Sequence, residues 1–218
     1  LLERLRGEPM IIVAGDSGVG KSSLCRAAVA PRVEAGVLTG AGEDAPRWIV
    51  RRLQPGRRPL LALCAALSAD LGLPEDLLAD LVREQPAALG RLLRQRPGAP
   101  MLIFIDQAEE LFTESDPAEL AQLAALLPPL LVPTPTLRLL ICVRGDFLTR
   151  LLALPGLGAE VSRALYLLRP LGEEALREAV VGPARKLDVR FETEEMVEEL
   201  VRQAASAAGG LPLLQFTL

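Results

Sequence analysis

A glycine-rich octapeptide near the start of the chain restricts its fold more than any other feature. Residues 15–22 read Gly-Asp-Ser-Gly-Val-Gly-Lys-Ser and match G-x-x-x-x-G-K-S/T at every fixed position. An apolar run at 10–14 precedes the octapeptide, and a helical pattern follows it over 22–30, where Pro31 is expected to end the helix. Glycines let the backbone wrap closely, so that successive amides and the positive end of the following helix face phosphate oxygens. The sequence therefore predicts a phosphate-binding loop between a buried strand and a helix.

Each residue of this loop has a predicted role in binding a nucleotide. Lys21 would neutralise the β- and γ-phosphates of ATP, and the Ser22 hydroxyl would bind Mg²⁺. Lysine is scarce here, because only Lys21 and Lys186 of the 24 basic residues are lysines. A match that demands lysine is therefore hard to obtain by accident. The predicted nucleotide contacts are Gly15, Asp16, Ser17, Gly18, Val19, Gly20, Lys21, Ser22 and Ser23.

Composition excludes several other chemistries. The 218 residues include no histidine, so there is no His-activated nucleophile and no His-ligated metal. The net charge of −4 argues against a general nucleic-acid-binding surface. Cys25, Cys64 and Cys142 are far apart in apolar stretches, which indicates buried thiols in a reducing, cytoplasmic compartment. The uncharged stretch 120–137 contains four prolines, so we reject a membrane-spanning helix.

Apolar runs alternating with helical patterns predict an α/β fold with a parallel sheet. A helix with Pro at its first turn is expected over 117–127, and a change of pattern after Pro170 predicts helices at 172–181 and 193–205. We therefore expect a nucleotide-binding domain over 1–170 and the start of a helical subdomain over 171–218. The chain has no secretory signal and does not begin with Met, so we expect a piece of a longer protein. The predicted strands are 10–14, 48–50, 101–105, 137–143 and 164–168.

Acidic residues after the strand at 101–105 are candidates for catalysis. Asp106 ends that strand and fits the second Mg²⁺-binding position of a P-loop protein, although an ordinary helix N-cap is the alternative. Glu109 or Glu110 could polarise the attacking water, because the position next to Asp106 is Gln107 rather than Glu. The alternative is that both glutamates are solvated acids in the first turn of a helix.

Arginines supply the remaining candidates. Arg144 follows the strand at 137–143, at the edge where open α/β sheets bind ligands, and could contact the γ-phosphate of ATP. The alternative is a surface arginine paired with Asp146. A second group of arginines lies between the predicted strand at 48–50 and the next helix, either as a solvated face or as a contact for phosphate or a partner domain. This group comprises Arg51, Arg52, Arg57 and Arg58.

Several motifs taken together resemble the novel STAND NTPase domain of bacterial signalling and defence proteins. The resemblance covers the whole chain, and the combination of segments is more specific than the glycine-rich loop alone. Those segments are 15–23, 55–60 (Pro-Gly-Arg-Arg-Pro-Leu), 106–113 (Asp-Gln-Ala-Glu-Glu-Leu-Phe-Thr), 143–147 (Val-Arg-Gly-Asp-Phe), 169–171 (Arg-Pro-Leu), 183–184 (Pro-Ala) and 210–214 (Gly-Leu-Pro-Leu-Leu).

The resemblance implies a P-loop NTPase of the additional-strand class, with a five-stranded parallel sheet of order 5-1-4-3-2 followed by a helical subdomain. It implies that Lys21 and Ser22 form Walker A, that Asp106 is Walker B, that Arg144 is the sensor-1 arginine and that Pro212 packs against the nucleotide. It also implies a Mg²⁺-dependent ATP/ADP switch with slow hydrolysis, fused to effector and sensor domains, that oligomerises when ATP is bound. The chain departs from the family pattern at Ala108, which replaces the usual aromatic residue, and the G-R-E segment expected upstream of the loop is missing or lies before Leu1.

Two other classes of function remain open from the sequence. A P-loop phosphotransferase would use the same glycine-rich loop, although no substrate clamp is evident. A nucleotide-gated scaffold that does not hydrolyse ATP would be consistent with Gln107, where many hydrolases place glutamate.

Overall fold

The computed structural model describes residues 1–39 and 46–206 of the chain. It divides into two compact units. The first comprises Leu1–Ala14 and Ser22–Tyr166 and holds most of the sheet. The second comprises Gly15–Lys21 and the chain from Leu167 onward, so it holds the glycine-rich loop. The predicted domain boundary between residues 170 and 171 stays a prediction.

The sheet has five strands in the order β2-β3-β4-β1-β5. Strands β2, β3 and β4 pair in parallel, with Ile49 opposite Met101 and Met101 opposite Leu137. The predicted α/β class and the order 5-1-4-3-2 are both confirmed. The strands are β1 (Met10–Gly15), β2 (Ile49–Leu53), β3 (Met101–Ile105), β4 (Leu137–Arg144) and β5 (Leu165–Leu167).

Helices connect the strands and cover both faces of the sheet, as parallel strand crossovers require. In the first unit they are α1 (Leu2–Gly7), α2 (Lys21–Leu24), α3 (Ala30–Glu34), α4 (Pro59–Leu71), α5 (Glu75–Glu84), α6 (Pro86–Gln95), α7 (Glu110–Thr113), α8 (Pro117–Leu130), α9 (Leu148–Leu152) and α10 (Gly158–Ala164). A π-helical turn (Cys25–Val29) joins α2 to α3, and a 3₁₀ turn (Gly145–Phe147) follows β4. The second unit contains α11 (Glu173–Lys186) and α12 (Glu194–Ser206).

The core of the first unit forms around strands that are buried on both faces. Every residue of β3 is buried, and so are the first five residues of β1. These continuous apolar runs have no polar face, which is why the alternation typical of a half-exposed strand is absent from them. The carboxyl ends of β1, β3 and β4 are therefore held by a rigid core. Strand β1 ends at Gly15, β4 ends at Arg144, and Asp106 directly follows the last residue of β3.

Prolines interrupt helices less than the sequence suggests. The predicted stop at Pro31 is wrong, because helical structure continues through the π-turn into α3, where Pro31 occupies the first turn and needs no backbone donor. The predicted end of α8 at residue 127 is also wrong, because Pro128 and Pro129 lie inside the helix, which ends at Leu130. The predicted start of α8 is accurate, since Pro117 is in its first turn and Asp116 caps it through Ala118 N.

A buried arginine attaches the first helix to the sheet. The Arg138 side chain donates to the carbonyls of Leu5 and Arg6 near the end of α1, and also to those of Thr134 and Leu137. Its guanidinium lies 5.8 Å from the centre of the Trp48 ring. Burial lowers the pKa of Arg138 from its ordinary value. Because the carbonyls of Leu5 and Arg6 lie in the last turn of a helix, they carry partial negative charge, and the arginine compensates it.

The second unit has its own small apolar cluster. Leu176 and Val180 of α11 pack with Val197, Val201 and Ala204 of α12. Glu194 and Glu195 lie in the first turn of α12, and Glu194 is ion-paired with Arg177. The spacing of these apolar residues, three or four apart, accounts for the pairing of the two helices.

Candidate functional site

The glycine-rich loop has the backbone that its sequence predicts. Gly18 and Gly20 adopt φ of 76° and 94°, a region that is strained for residues with a side chain. Lys21 is only 8% exposed, and its Nζ donates to the carbonyl oxygens of Gly15 and Asp16 at 2.8 and 2.7 Å. The ammonium group of Lys21 therefore lies against the backbone of the same glycine-rich loop. A carbon placed at the Cβ position of Gly15 would lie 2.7 Å from the carbonyl oxygen of Leu168, so this position accepts only glycine without a rearrangement.

The structure brings together the two side chains predicted to bind Mg²⁺. Ser22 at the start of α2 donates through Oγ to Oδ1 of Asp106, at 2.7 Å. Asp106 directly follows β3, and its side chain is fully buried. Its Oδ1 also accepts the backbone N–H of Gln107 at 3.0 Å. A hydroxyl and a carboxylate in contact supply the hard oxygen atoms that Mg²⁺ prefers.

An arginine that the sequence analysis missed completes the surroundings of Asp106. Arg26, in the π-turn after α2, donates from Nε to Oδ2 of Asp106 at 2.6 Å, and its Nη2 lies 2.6 Å from the same oxygen. Arg52 of β2 is farther away, with Nε 4.0 Å from Oδ2. The signal was present in the sequence, because Arg26 follows Ser22 by four residues and residues four apart share a helix face.

Gln107 occupies an unusual backbone conformation next to this carboxylate. Its φ is +54°, the left-handed region that few residues other than glycine adopt. Its side-chain carbonyl accepts a hydrogen bond from Gln54 Nε2, at 2.5 Å. The turn after β3 is thereby attached to the loop after β2. A strained residue at this position is an observation that favours a functional role for the turn.

The two candidate glutamates contact different parts of the sheet edge. Glu109 accepts the backbone N–H of Arg144 at 3.2 Å, which places its carboxylate at the end of β4. Glu110 accepts the backbone N–H of Gly56 at 3.0 Å, in the loop after the edge strand β2. Both are partly buried rather than fully solvated. Strand β4 lies in the middle of the sheet, between β3 and β1, whereas β2 lies at its edge. Glu109 therefore contacts the centre of the sheet, and Glu110 contacts the loop beside its edge.

Arg144 at the end of β4 forms the surface pair that the sequence analysis gave as the alternative. Its Nε and Nη2 donate to Asp146 at 3.1 and 2.8 Å. The guanidinium also lies 5.4 Å from the centre of the Phe147 ring, and Arg150 lies 5.3 Å from that same centre. Phe147 in turn stacks with Phe112 of α7, at 6.2 Å. An exposed ion pair of this kind contributes little to stability, so it is readily exchanged for another partner.

Two further sets of residues acquire partners in the structure. All three cysteines are buried and not disulfide-bonded, as predicted, but Cys25 and Cys142 are neighbours in space, with their sulfurs 3.4 Å apart. In the arginine group, Arg51 forms a bidentate pair with Asp70 at 2.5 and 2.8 Å, which raises the pKa of Arg51. The group therefore is not one uniform basic face.

Within residues 1–39 and 46–206, no group of three or more His, Cys, Asp and Glu side chains could hold a metal ion. The donors at Asp106 nevertheless fit Mg²⁺ that arrives with a nucleotide, since such an ion needs only one or two protein oxygens besides phosphate and water. No helix in the same part of the chain has the length and apolar character to cross a membrane. Pro212 and the rest of the 210–214 motif lie outside the described residues.

The sheet and the loop together define the class of this protein. A parallel sheet of order β2-β3-β4-β1-β5, with a G-x-x-x-x-G-K-S loop directly after β1, is the architecture of the additional-strand P-loop NTPases. The sequence profile of the Novel STAND NTPase 1 family matches residues 1–218, the whole chain. The chain therefore belongs to the novel STAND NTPase 1 family and is a nucleotide-binding NTPase module. No curated protein matches its sequence.

Solved structures of P-loop ATPases share the fold at low sequence identity. The Walker-type ATPase PABY2304 of Pyrococcus abyssi is 17% identical with a TM-score of 0.57, over 98% of this chain and 65% of that chain. Cdc6p from Pyrobaculum aerophilum is 17% identical with a TM-score of 0.62, over 97% and 55%. AMPPCP-bound DnaA from Aquifex aeolicus is 15% identical with a TM-score of 0.54, over 99% and 57%. The chain thus spans between about half and two thirds of the length of these structures.

Proposed function

We propose that this chain is a Mg²⁺-dependent ATP/ADP switch that hydrolyses ATP slowly and controls the assembly of a larger signalling or defence protein. The observation that carries the proposal is the hydrogen bond between Ser22 and Asp106. Ser22 directly follows the buried Lys21 in the sequence. These three residues are the minimum set that P-loop proteins use for phosphate and metal.

The remaining loop residues would bind the phosphates mainly through their backbone. Residues 15–23 supply amide donors, and Lys21 supplies the positive charge that the β- and γ-phosphates need. Mg²⁺ held by Ser22 and Asp106 would neutralise charge on those phosphates. Lys21 already binds two carbonyl oxygens, so a phosphate would replace neutral acceptors with charged ones, which form stronger hydrogen bonds.

Glu109 is the residue we assign to activating water. Its carboxylate touches the end of β4, the neighbour of the strand that leads into the glycine-rich loop. Glu110 instead binds the loop after β2, so we assign it to holding that loop in place. A carboxylate in the position of Glu109 would accept the proton that the attacking water loses.

Arg144 would report whether a γ-phosphate is present. Its pairing with Asp146 is exposed and weak, and a phosphate offers a stronger bidentate partner. The exchange would move the segment after β4, because Asp146 and Phe147, which contact the arginine, belong to that segment. Pro212 would contact the nucleotide from the helical subdomain at 171–218, as the family resemblance implies.

The family resemblance supports a wider role, which extends the proposal beyond the described residues. We propose that the module acts in the cytoplasm, is fused to effector and sensor domains and forms a homo-oligomer when ATP is bound. Direct nucleic-acid binding and membrane attachment are not part of the proposal, since the net charge is −4.

Nucleotide binding is the first property to test. Isothermal titration with ATP, ADP and GTP, each with Mg²⁺, should show binding of the adenine nucleotides, and Lys21→Ala should weaken it about 100-fold. Lys186→Ala is the matched control, because it removes the other lysine, which is exposed at the end of α11. No binding by the wild-type chain, or equal binding by Lys21→Ala, would contradict the proposal.

A nucleotide-gated scaffold without hydrolysis is the second candidate. The observation that favours it is that backbone N–H groups already occupy both Glu109 and Glu110, while Gln107 is bound to Gln54. Single-turnover assays with γ-labelled ATP decide between the two. Phosphate release that stays at the level of protein-free buffer supports the scaffold, and transfer of the label to any acceptor other than water supports a phosphotransferase.

A further inference from the structure

We infer that Arg26 is a built-in competitor of Mg²⁺ at Asp106, so that removing its charge strengthens Mg²⁺ binding. The inference deepens the proposed function, because it rests on the assignment of Ser22 and Asp106 to the metal. It concerns the first compact unit alone, since Ser22, Arg26, Arg52, Asp106 and Gln107 all belong to it.

Protein donors contact both oxygens of the Asp106 carboxylate. A carboxylate offers about four lone-pair positions, two on each oxygen. Oδ1 accepts from Ser22 Oγ and from Gln107 N, at 2.7 and 3.0 Å. Oδ2 accepts from Nε of Arg26 and has Nη2 of the same guanidinium at 2.6 Å. Two guanidinium nitrogens at 2.6 Å therefore occupy the space around Oδ2, and an incoming cation can bond to this oxygen only if Arg26 leaves.

Arg26 is the donor that can leave with least disturbance. The N–H of Gln107 belongs to a backbone held in the left-handed region, and Ser22 is itself assigned to the metal, so neither is expected to move away. The Arg26 side chain is 37% exposed and has a long flexible stem, so its head can move into solvent. Arg52 does not replace it directly, because its Nε is 4.0 Å from Oδ2 and its side chain is 43% exposed.

The charges at Asp106 determine whether Arg26 strengthens or weakens Mg²⁺ binding. Asp106 is fully buried, and a buried carboxylate requires a positive partner or several hydrogen bonds. Arg26 meets that requirement, but a guanidinium and a divalent cation on the same oxygen repel each other. Coupling between two ligands of one site is reciprocal, and couplings of roughly 5- to 150-fold are common. Mg²⁺ binding therefore releases Arg26, and the presence of Arg26 weakens Mg²⁺ binding by a factor of about ten.

The proposal also explains the position of this arginine on the loop helix. Residues four apart on a helix project from the same face, so Ser22 and Arg26 reach the same carboxylate from the same side. Release of Arg26 would therefore couple metal binding to the π-turn and to α3, which follows it. A π-turn is a frequent feature of functional sites, where it allows a local adjustment of the helix.

The test is a titration of free Mg²⁺ against the fluorescence of a labelled ADP bound to the 218-residue chain. We expect Arg26→Gln to lower the Mg²⁺ concentration at half-saturation about tenfold. Arg26→Lys keeps the charge and should stay within about threefold of wild type, and Arg52→Gln is the control for a more distant arginine. An unchanged or higher half-saturating Mg²⁺ concentration in Arg26→Gln would mean that the arginine only braces Asp106, and would overturn the inference.

Two further readouts separate this inference from the proposed function and from simple misfolding. If wild type binds no labelled ADP at any Mg²⁺ concentration, the proposed function fails. The competition is then tested with Mn²⁺ in the absence of nucleotide, by comparing Mn²⁺ binding to Arg26→Gln and to wild type through the electron paramagnetic resonance signal of the ion. Tighter Mn²⁺ binding by the variant supports the competition, and equal or weaker binding overturns it. In wild type, the Arg26 Nε–H resonance, assigned by its loss in Arg26→Lys, should shift and exchange faster with solvent on addition of Mg²⁺ and ADP. A resonance that is unaffected at saturation would also overturn the inference.

Discussion

Replacing Glu109 with glutamine separates catalysis from structure at this site. The amide oxygen of glutamine can still accept the backbone N–H of Arg144, which Glu109 accepts at 3.2 Å, so the end of β4 keeps its contact. The amide cannot take a proton from water, so general-base catalysis is lost. Glu110→Gln is the matched variant, because it makes the same chemical change one residue away, where the carboxylate binds the N–H of Gly56 at 3.0 Å.

The expected effect of Glu109→Gln on the hydrolysis rate is much larger than its expected effect on folding stability. A positioned general base contributes about 10²–10⁴-fold to a rate, so Glu109→Gln should slow single-turnover hydrolysis at least ~100-fold, or about 2.7 kcal/mol on the barrier. Exchanging a charged acceptor for a neutral one costs about 1 kcal/mol of folding stability. For a chain of 218 residues that amounts to a decrease in Tm of about 2–4 °C. Glu110→Gln should show a similar small decrease in Tm and hydrolysis within about threefold of wild type.

Three measurements decide whether the reasoning holds. Rapid-quench single-turnover hydrolysis gives the rate, labelled ADP binding gives the nucleotide affinity, and thermal unfolding gives the stability of each variant. Nucleotide affinity should change by less than about threefold in both variants. The assignment of Glu109 is refuted if Glu110→Gln hydrolyses ATP more slowly than Glu109→Gln does. It is also refuted if wild type has a measurable rate of hydrolysis and Glu109→Gln hydrolyses ATP at that same rate.

Three other predictions follow from contacts described above. Gly15→Ala should lower Tm by several degrees, because the new methyl meets the carbonyl of Leu168, whereas Gly7→Ala, which has open space, should leave Tm nearly unchanged. Burial raises the pKa of Cys64 from 9.0 to about 11, so the folded chain keeps a proton that the unfolded chain loses above pH 9. The free energy of unfolding should therefore fall as the pH rises through 9 and 11, by about 2.7 kcal/mol in total, relative to a Cys64→Ala variant measured at the same pH. Arg138→Met should cost about 3 kcal/mol in chemical denaturation, because four backbone carbonyls lose a charged donor; a loss below about 1 kcal/mol would show that water replaces the guanidinium.

Features that depend on local pattern were predictable from the sequence. The strand over 101–105 could be located because both faces of a parallel strand are buried, which leaves an uninterrupted apolar run. The order of the strands came from the family resemblance and is confirmed. The sequence pattern predicts helix ends before Pro31 and before Pro128, because intrinsic propensity treats proline as a helix breaker. The structure instead places Pro31 in the first turn of α3 and accommodates Pro128 and Pro129 in the last turn of α8.

The sequence by itself determined the class of chemistry, because the spacing of glycines, lysine and serine in residues 15–22 is read within one loop. Only the tertiary structure decided which side chains share the carboxylate of Asp106. Ser22 and Arg26 are 84 and 80 residues away from it in sequence, and their meeting depends on the parallel placement of strands through the core. The same holds for Cys25 beside Cys142. It also holds for Glu109 and Glu110, which are adjacent in sequence although one contacts the end of β4 and the other the loop after β2. Local pattern fixes which residue types are available, whereas long-range packing fixes which of them meet, and at Asp106 that difference is the arginine we propose to compete with Mg²⁺.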